Sequence, residues 1–175
     1  TAEQALELRK AAQKIGDHKT AGITALAWIS TALTSTVMMV KHQDVVISPP
    51  GMSPATIQVT YRRGKGVRCG QPPHTLTTRM GAFEPYILPS FPANRKPEDF
   101  VWPAPKRQGR KNLMETIKTM LRDVTGQPAM ENRSIRRGAL QCLATAGTPI
   151  SVLLAFSGHS SVAMLRRYLN FGRIT

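Results

Sequence analysis

The sequence is short of negative charge. Ten Asp and Glu face 24 Lys and Arg, a formal charge of +14. An excess of that size excludes a self-neutralised surface and points to a polyanionic partner, nucleic acid first and an anionic membrane second. Cysteine is nearly absent: Cys69 and Cys142 lie far apart, in no C-x-x-C or Cys/His ligand spacing. That excludes a disulfide framework and suits a reducing compartment. The four histidines, His18, His42, His74 and His159, are equally scattered, so no metal site is predicted. There is no internal repeat, low-complexity tract or secretory signal.

What is present suffices for a core. A chain of 175 residues buries enough apolar surface to fold without disulfides or metal. One domain over 1–175 is expected, cut from a longer protein, because Thr1 is not an initiator methionine and the sequence opens inside a helical pattern. One uncharged run, "AGITALAWISTALTSTVMMV" at 21–40, is long enough to cross a bilayer. Six of its twenty residues are Ser or Thr and no aromatic belt flanks it, which favours a buried core helix over a membrane span.

Along the chain, "AEQALELRKAAQKI" at 2–15 is rich in helix formers and ends at Gly16-Asp17. The buried helix is expected over about 20–40. After a Pro/Gly/Ser break at 48–54, Ala55, Ile57, Val59 and Tyr61 alternate with polar neighbours, predicting a half-buried strand. "GKG" at 64–66 supplies a turn, and 67–78 returns as a second strand. Residues 83–111 hold many prolines without a period and read as a long surface connection. Helices follow over about 112–124, 133–146, 149–157 and 160–170, with Gly147 closing the second, Pro149 opening the third and Ser160 capping the fourth. The class is α+β, mostly helical with a small antiparallel sheet.

On the helix after Arg133, Ile135, Ala139, Cys142 and Ala146 share one face, widened by Leu140 and Leu143. Arg136 falls at the edge of this stripe, and the only carboxylate near it in sequence is Glu131. A guanidinium so placed needs an anionic partner, which a ligand can supply.

Arg136 precedes His159 by 23 residues and Tyr168 by 32. The stretch "RSIRRGAL...GTPISVLLAFSGHSSVAMLRRYL" resembles the carboxy-terminal signature of the tyrosine recombinases, the phage-integrase family. That signature runs His-x-x-Arg, then Gly-His, then a nucleophilic tyrosine nine residues on. The resemblance implies these roles for Arg136, His159 and Tyr168, with Arg133 standing at the first histidine. The "YRRGKGVR" hairpin resembles the family's β-turn lysine, which implies Lys65 as the proton donor to the leaving 5′-oxygen. The implied fold is the recombinase catalytic domain, which relatives precede with a separate helical DNA-clamping domain. The implied reaction is transesterification on double-stranded DNA without metal or small-molecule cofactor. Self-association on DNA and an intracellular location with DNA, the nucleus in a eukaryote, are further implications.

Basic clusters suit that substrate: Arg62, Arg63 and Arg68 around Lys65; Lys106, Arg107, Arg110 and Lys111; Arg137 beside Arg136; and Arg166-Arg167 beside Tyr168. Two family positions differ. The histidine is replaced by Arg133. The earlier arginine, eleven residues before an aspartate, falls at Leu33 counted back from Asp44, and its acidic follower falls at Thr36. No arginine stands between Arg9 and Arg62, so only Lys41 or His42 is placed to substitute locally. Two functions follow: strand breakage and rejoining with Tyr168 as nucleophile, or a recombinase-fold module that binds DNA without cutting it. Anchorage in a membrane through 21–40 is a third, weaker reading.

Overall fold

The computed structural model describes residues 1–14, 17–48, 55–62, 73–103 and 107–170. The Gly-Lys-Gly turn with Arg63, Lys65 and Arg68 lies outside the described residues, as do Lys106 and the side chain of Arg107.

Helix α1 spans Ala2–Lys14 and buries Ala5, Leu8 and Ala12. Asp17 caps α2 (His18–Ser30), its carboxylate accepting the Thr20 N–H at 2.9 Å. This helix is apolar nearly all round, with Ile23, Ala25, Leu26 and Ala27 fully buried. Its hydroxyls are satisfied within the helix, Thr24 donating to the Thr20 carbonyl at 2.7 Å and Ser30 to Leu26 at 2.6 Å. Gly22 is required by a close approach: a Cβ there would lie 2.8 Å from Trp102 Nε1.

The helix expected over 20–40 does not run through. Thr31 takes φ 55°, and its N–H bonds back to Ala27 and Trp28. A left-handed residue ends the hydrogen-bond ladder. The chain restarts as one turn, α3 (Thr34–Val37). Among the described residues no helix is long and apolar enough to cross a membrane.

A three-stranded antiparallel sheet follows in the order β1-β2-β3: β1 (Val45–Ile47), β2 (Thr56–Tyr61) and β3 (His74–Arg79). The alternation expected in β2 is present, with Ile57, Val59 and Tyr61 buried and Gln58 exposed. Register pairs Val45 with Val59 and Tyr61 with His74. Strand β1 is too short to announce itself in the sequence.

Residues 83–103 are more than a surface connection. Short turns at Gly81–Phe83 and Leu88–Ser90 flank α4 (Glu84–Ile87). Ile87, Phe91, Val101 and Trp102 enter the core, and Trp102 Nε1 donates to Ser90 at 3.0 Å. The segment is irregular because its prolines remove N–H donors, yet its aromatic residues are anchored inside.

Four helices complete the fold: α5 (Arg107–Thr125), α6 (Arg133–Thr145), α7 (Ile150–Ser157) and α8 (Val162–Asn170). Helix α5 begins five residues earlier than its apolar period suggests. On α6 the buried positions are Ile135, Ala139 and Leu140, whereas Cys142 and Ala146 are exposed. The stripe rotates because the second half of α6 packs through Leu140, Leu143 and Ala144 onto Leu153 of α7 and Leu165 of α8. Ser161 rather than Ser160 caps α8, accepting the Met164 N–H at 3.2 Å.

Candidate functional site

Three helix ends converge on Arg136. It sits one turn into α6, partly buried, and its guanidinium bridges two carbonyls. Nη1 donates to Thr31 O and Nη2 to Ser157 O, both at 3.0 Å. The first acceptor is the end of α2, the second the end of α7. Both are helix C-termini, where unpaired carbonyls and the helix dipole favour a cation. No carboxylate is involved: Glu131, its nearest acidic neighbour in sequence, pairs instead with Arg133 at 3.5 Å. Burial holds the Arg136 pKa below the usual guanidinium value, with Tyr168 and Tyr61 acting in the opposite direction. Its Nε–H is buried without a hydrogen-bond partner.

His159 follows from the end of α7. Gly158 adopts φ 71° and lies against His74, where an added Cβ would come within 3.3 Å of the ring. His74 is fixed from β3, its Nε2 being 2.9 Å from Phe156 O. This turn brings the His159 imidazole under Arg136. Nη2 is 3.3 Å from Nδ1 and 3.2 Å from Nε2, a near-equal pair of distances that places it across the ring face rather than along either lone pair. The in-plane partner of Nδ1 is Ser157 Oγ at 2.7 Å. Burial, then the charge of Arg136, pushes the imidazole pKa down to about 4.

Tyr168 completes the group from α8. Its ring centroid is 4.9 Å from that of His159, and the Cζ atoms of Arg136 and Arg137 lie 5.5 and 5.9 Å from it. Gln141 of α6 donates to the Tyr168 carbonyl at 3.4 Å, and Leu140, Leu153 and Leu165 form the apolar floor. A phenol, an imidazole and a guanidinium therefore form one cluster at the junction of α2, α6, α7 and α8.

The other predicted residues are distributed differently. Arg133 is exposed and pairs with Glu131 at 3.5 Å. Arg62 pairs with buried Asp44 at 2.5 Å. Lys111, Arg166 and Arg167 are exposed and Arg110 is partly exposed. Lys41 is placed over the Phe100 ring and His42 edge-on to Phe91. Arg9 is fully buried and donates to the Ala5 and Thr24 carbonyls, and Thr24 is seven residues before Thr31, about 10 Å along α2. Leu33 and Thr36 are half-buried. Sequence reasoning missed Ser157 and Thr31. A serine two residues before the histidine was the one available signal.

Known structures share this architecture. A XerH site-specific recombinase bound to palindromic difH substrate, in a post-cleavage complex, superposes with a TM-score of 0.69 at 12% identity, over 97% of this chain and 48% of that one. A pre-cleavage XerH–difH complex gives 0.69 at 12% over 95% and 48%. XerA recombinase gives 0.66 at 15% over 97% and 57%. The fold is that of the tyrosine recombinase catalytic domain. The mostly helical α+β class expected from the sequence is thus present, with its small antiparallel sheet. The chain spans about half the length of the XerH structures it matches. No protein-family model matches the sequence. No curated protein matches it either.

Proposed function

We propose that this chain is the catalytic-type domain of a protein that binds duplex DNA and breaks and rejoins its strands through Tyr168. The convergence of Tyr168 with His159 at 4.9 Å and Arg136 at 5.5 Å carries the proposal. A phenol is a weak nucleophile near neutral pH, with an ordinary pKa of about 10. Attack on phosphorus therefore needs proton removal and donors for the charge that builds on the phosphoryl oxygens. Arg136 supplies an unpartnered, buried Nε–H, and His159 supplies a ring N–H beside it. In the reaction the Tyr168 oxygen forms a bond to phosphorus as the bond to the 5′-oxygen breaks. The phenol gives up its proton to solvent water as it attacks, and the leaving oxygen takes a proton from a general acid, the role assigned to Lys65. The product is a 3′-phosphotyrosine and a free 5′-hydroxyl. The phosphodiester energy is retained, and the reverse attack rejoins the strand. Arg133 would assist once its weak exposed pair with Glu131 opens.

The DNA surface follows from charge. Residues 132–175 contain six arginines and no acidic residue, and the exposed Arg166 and Arg167 flank the tyrosine. With Arg62, Arg110, Lys111 and Arg137 they would track phosphates. Self-association on DNA, an intracellular location with DNA and descent from an integrating mobile element belong to the same reading. No metal or cofactor is invoked, and among the described residues no cluster of three or more His, Cys, Asp or Glu could hold a metal.

A second reading is a DNA-binding module that does not cut. Leu33 favours it, because a half-buried apolar side chain occupies the place of a phosphate-clamping arginine. A nicked duplex that traps covalent protein–DNA adducts separates the two. Strand transfer predicts an adduct that Tyr168→Phe abolishes. DNA retention with no adduct, and no effect of Tyr168→Phe, would establish the binding module instead.

A further inference from the structure

We infer that Ser157 is a positioning residue for His159: its buried hydroxyl donates to Nδ1, holds the ring proton on Nε2 and so makes the imidazole a hydrogen-bond donor toward a DNA phosphate. The catalytic part of this inference rests on the strand-transfer reading above. The tautomer does not.

Ser157 is the last residue of α7 and is 5% exposed. It serves both partners of the site at once. Its carbonyl accepts Arg136 Nη2 at 3.0 Å, and its hydroxyl lies 2.7 Å from His159 Nδ1. That separation is a short, well-formed hydrogen bond. The remaining contacts of the hydroxyl agree with its donation to Nδ1. It accepts the His159 backbone N–H at 3.4 Å, leaving its own proton for the short bond. A second acceptor, Leu154 O, lies 3.4 Å away, and the much shorter contact to Nδ1 is the stronger claim on the proton. Arg136 Nη2 lies across the ring face, almost equally far from Nδ1 and Nε2, so its charge opposes protonation of the ring without choosing between the two tautomers. The other neighbours are Tyr168, its ring tilted against the imidazole from α8, and His74, which lies against Gly158 from β3. Neither competes for Nδ1.

In the neutral imidazole one nitrogen donates and the other accepts, and the partner of one fixes the role of the other. With Nδ1 occupied by Ser157, Nε2 carries the proton and acts as a donor. Without that hydroxyl both tautomers become accessible, and the fraction with a bare Nε2 presents a lone pair to an anionic oxygen, which repels it. Serine at this position thus selects donor over base.

Two measurements on the full chain test this. The first is long-range proton–nitrogen correlation of the ¹⁵N-labelled histidines near neutral pH, with His159 assigned by its loss in His159→Gln. We expect His159 to show a bare Nδ1 and a protonated Nε2. Ser157→Ala should introduce the Nδ1-protonated form, and Ser157→Thr, which keeps the hydroxyl, should retain the original pattern. A protonated Nδ1 in the unsubstituted protein, or an unchanged Nε2–H tautomer in Ser157→Ala, would overturn the inference. The second is covalent adduct formation on nicked DNA, where Ser157→Ala should lower the rate roughly tenfold to a hundredfold, the scale for loss of a histidine's outer partner, with Ser157→Thr recovering most of it. Adduct formation by the unsubstituted protein at the same rate as by Ser157→Ala would remove the catalytic role. Failure of the unsubstituted protein to form any adduct would defeat the strand-transfer reading and that catalytic role together, while the tautomer remains decided by the first measurement.

Discussion

Arg136 ties together two chain segments 105 positions apart, its Nη1 donating to the carbonyl of Thr31 at 3.0 Å. With the matching bond to Ser157, this makes the guanidinium a structural clamp as well as a candidate phosphate ligand. A lysine has one nitrogen and cannot span both helix ends. Arg136→Lys is therefore expected to destabilise the fold by about 2–3 kcal/mol, the scale of hydrogen bonds from a charged donor. The urea midpoint measures this, and an unchanged midpoint would show that the bridge is energetically idle.

Thr31 itself should be improvable. It is the only non-glycine residue with positive φ among the described residues, at 55°, and its hydroxyl is buried without a hydrogen-bond partner. A β-branched side chain is poorly suited to that conformation. Thr31→Gly removes the strain and the orphaned hydroxyl while leaving the carbonyl for Arg136. The expected gain is about 1 kcal/mol after the extra chain entropy of glycine, read as a melting temperature about 2–4 °C higher. A lower melting temperature would show that the Thr31 methyl contributes more through packing than its backbone loses.

Much of the fold was legible because its signals are local. Ile57, Val59 and Tyr61 alternate as a half-buried strand must, and Gly147 and Pro149 bracket a helix boundary. The break at Thr31 was not legible, since "ISTALTST" contains neither glycine nor proline and the helix ends through a tertiary contact with Arg136. Phe91 and Trp102 looked like loop aromatics because burial of an irregular segment leaves no period. The spacing of Arg136, His159 and Tyr168 was visible along the chain. The pairing of Arg133 with Glu131 and the grip of Ser157 on His159 were not, because each is set by side-chain directions that spacing does not encode.

His159 should make the protein acid-sensitive. Its pKa is pushed from 6.5 down to about 4 by burial and by Arg136, with Tyr168 tilted against the ring and His74 across Gly158 as its other titratable neighbours. Above pH 6.5 the imidazole is neutral in both folded and unfolded chains and contributes nothing. As pH falls from 6.5 toward 4 the unfolded chain binds the proton first, so stability is lost across that window and levels off below it. His42, lowered by its own burial, acts in the same sense. Because the ring is partly exposed, solvent screening reduces the contribution of His159 to on the order of 1 kcal/mol. Urea midpoints at pH 7 and pH 5 should differ less in His159→Gln than in the unsubstituted protein. Equal differences would rule out His159 as a source.

The arginines should differ in their grip on DNA. Arg62 is engaged by Asp44 at 2.5 Å, whereas no carboxylate among the described residues pairs with Arg166 or Arg167. A free surface cation that meets a phosphate releases about one counterion. Arg167→Ala is expected to reduce the slope of log affinity against log salt by about 1. Arg62→Ala should reduce it less, because its charge is already partly neutralised. Fluorescence anisotropy on a duplex at several salt concentrations measures both, and equal slopes for all three proteins would place the DNA elsewhere.

Leu33, where the family resemblance implies an arginine, offers the sharpest test of the proposed strand transfer. Leu33 lies two residues beyond Thr31, whose carbonyl is bonded to Arg136. It is half-buried, and position 33 precedes α3 in extended backbone, φ −72° and ψ 141°, which any long side chain adopts. A guanidinium at 33 would give a bound phosphate a second cationic donor opposite His159. Loss of one preorganised donor lowers rates by roughly a hundredfold to a thousandfold, and its restoration should act in reverse. Leu33→Arg is therefore expected to raise the rate of covalent adduct formation on nicked DNA, with Thr36→Glu added to balance the new charge. Tyr168→Phe in that background must abolish the adduct. If Leu33→Arg folds and binds DNA yet forms no more adduct than the unsubstituted chain, a bare clamp position is not what limits this pocket, and the DNA-binding module becomes the better account.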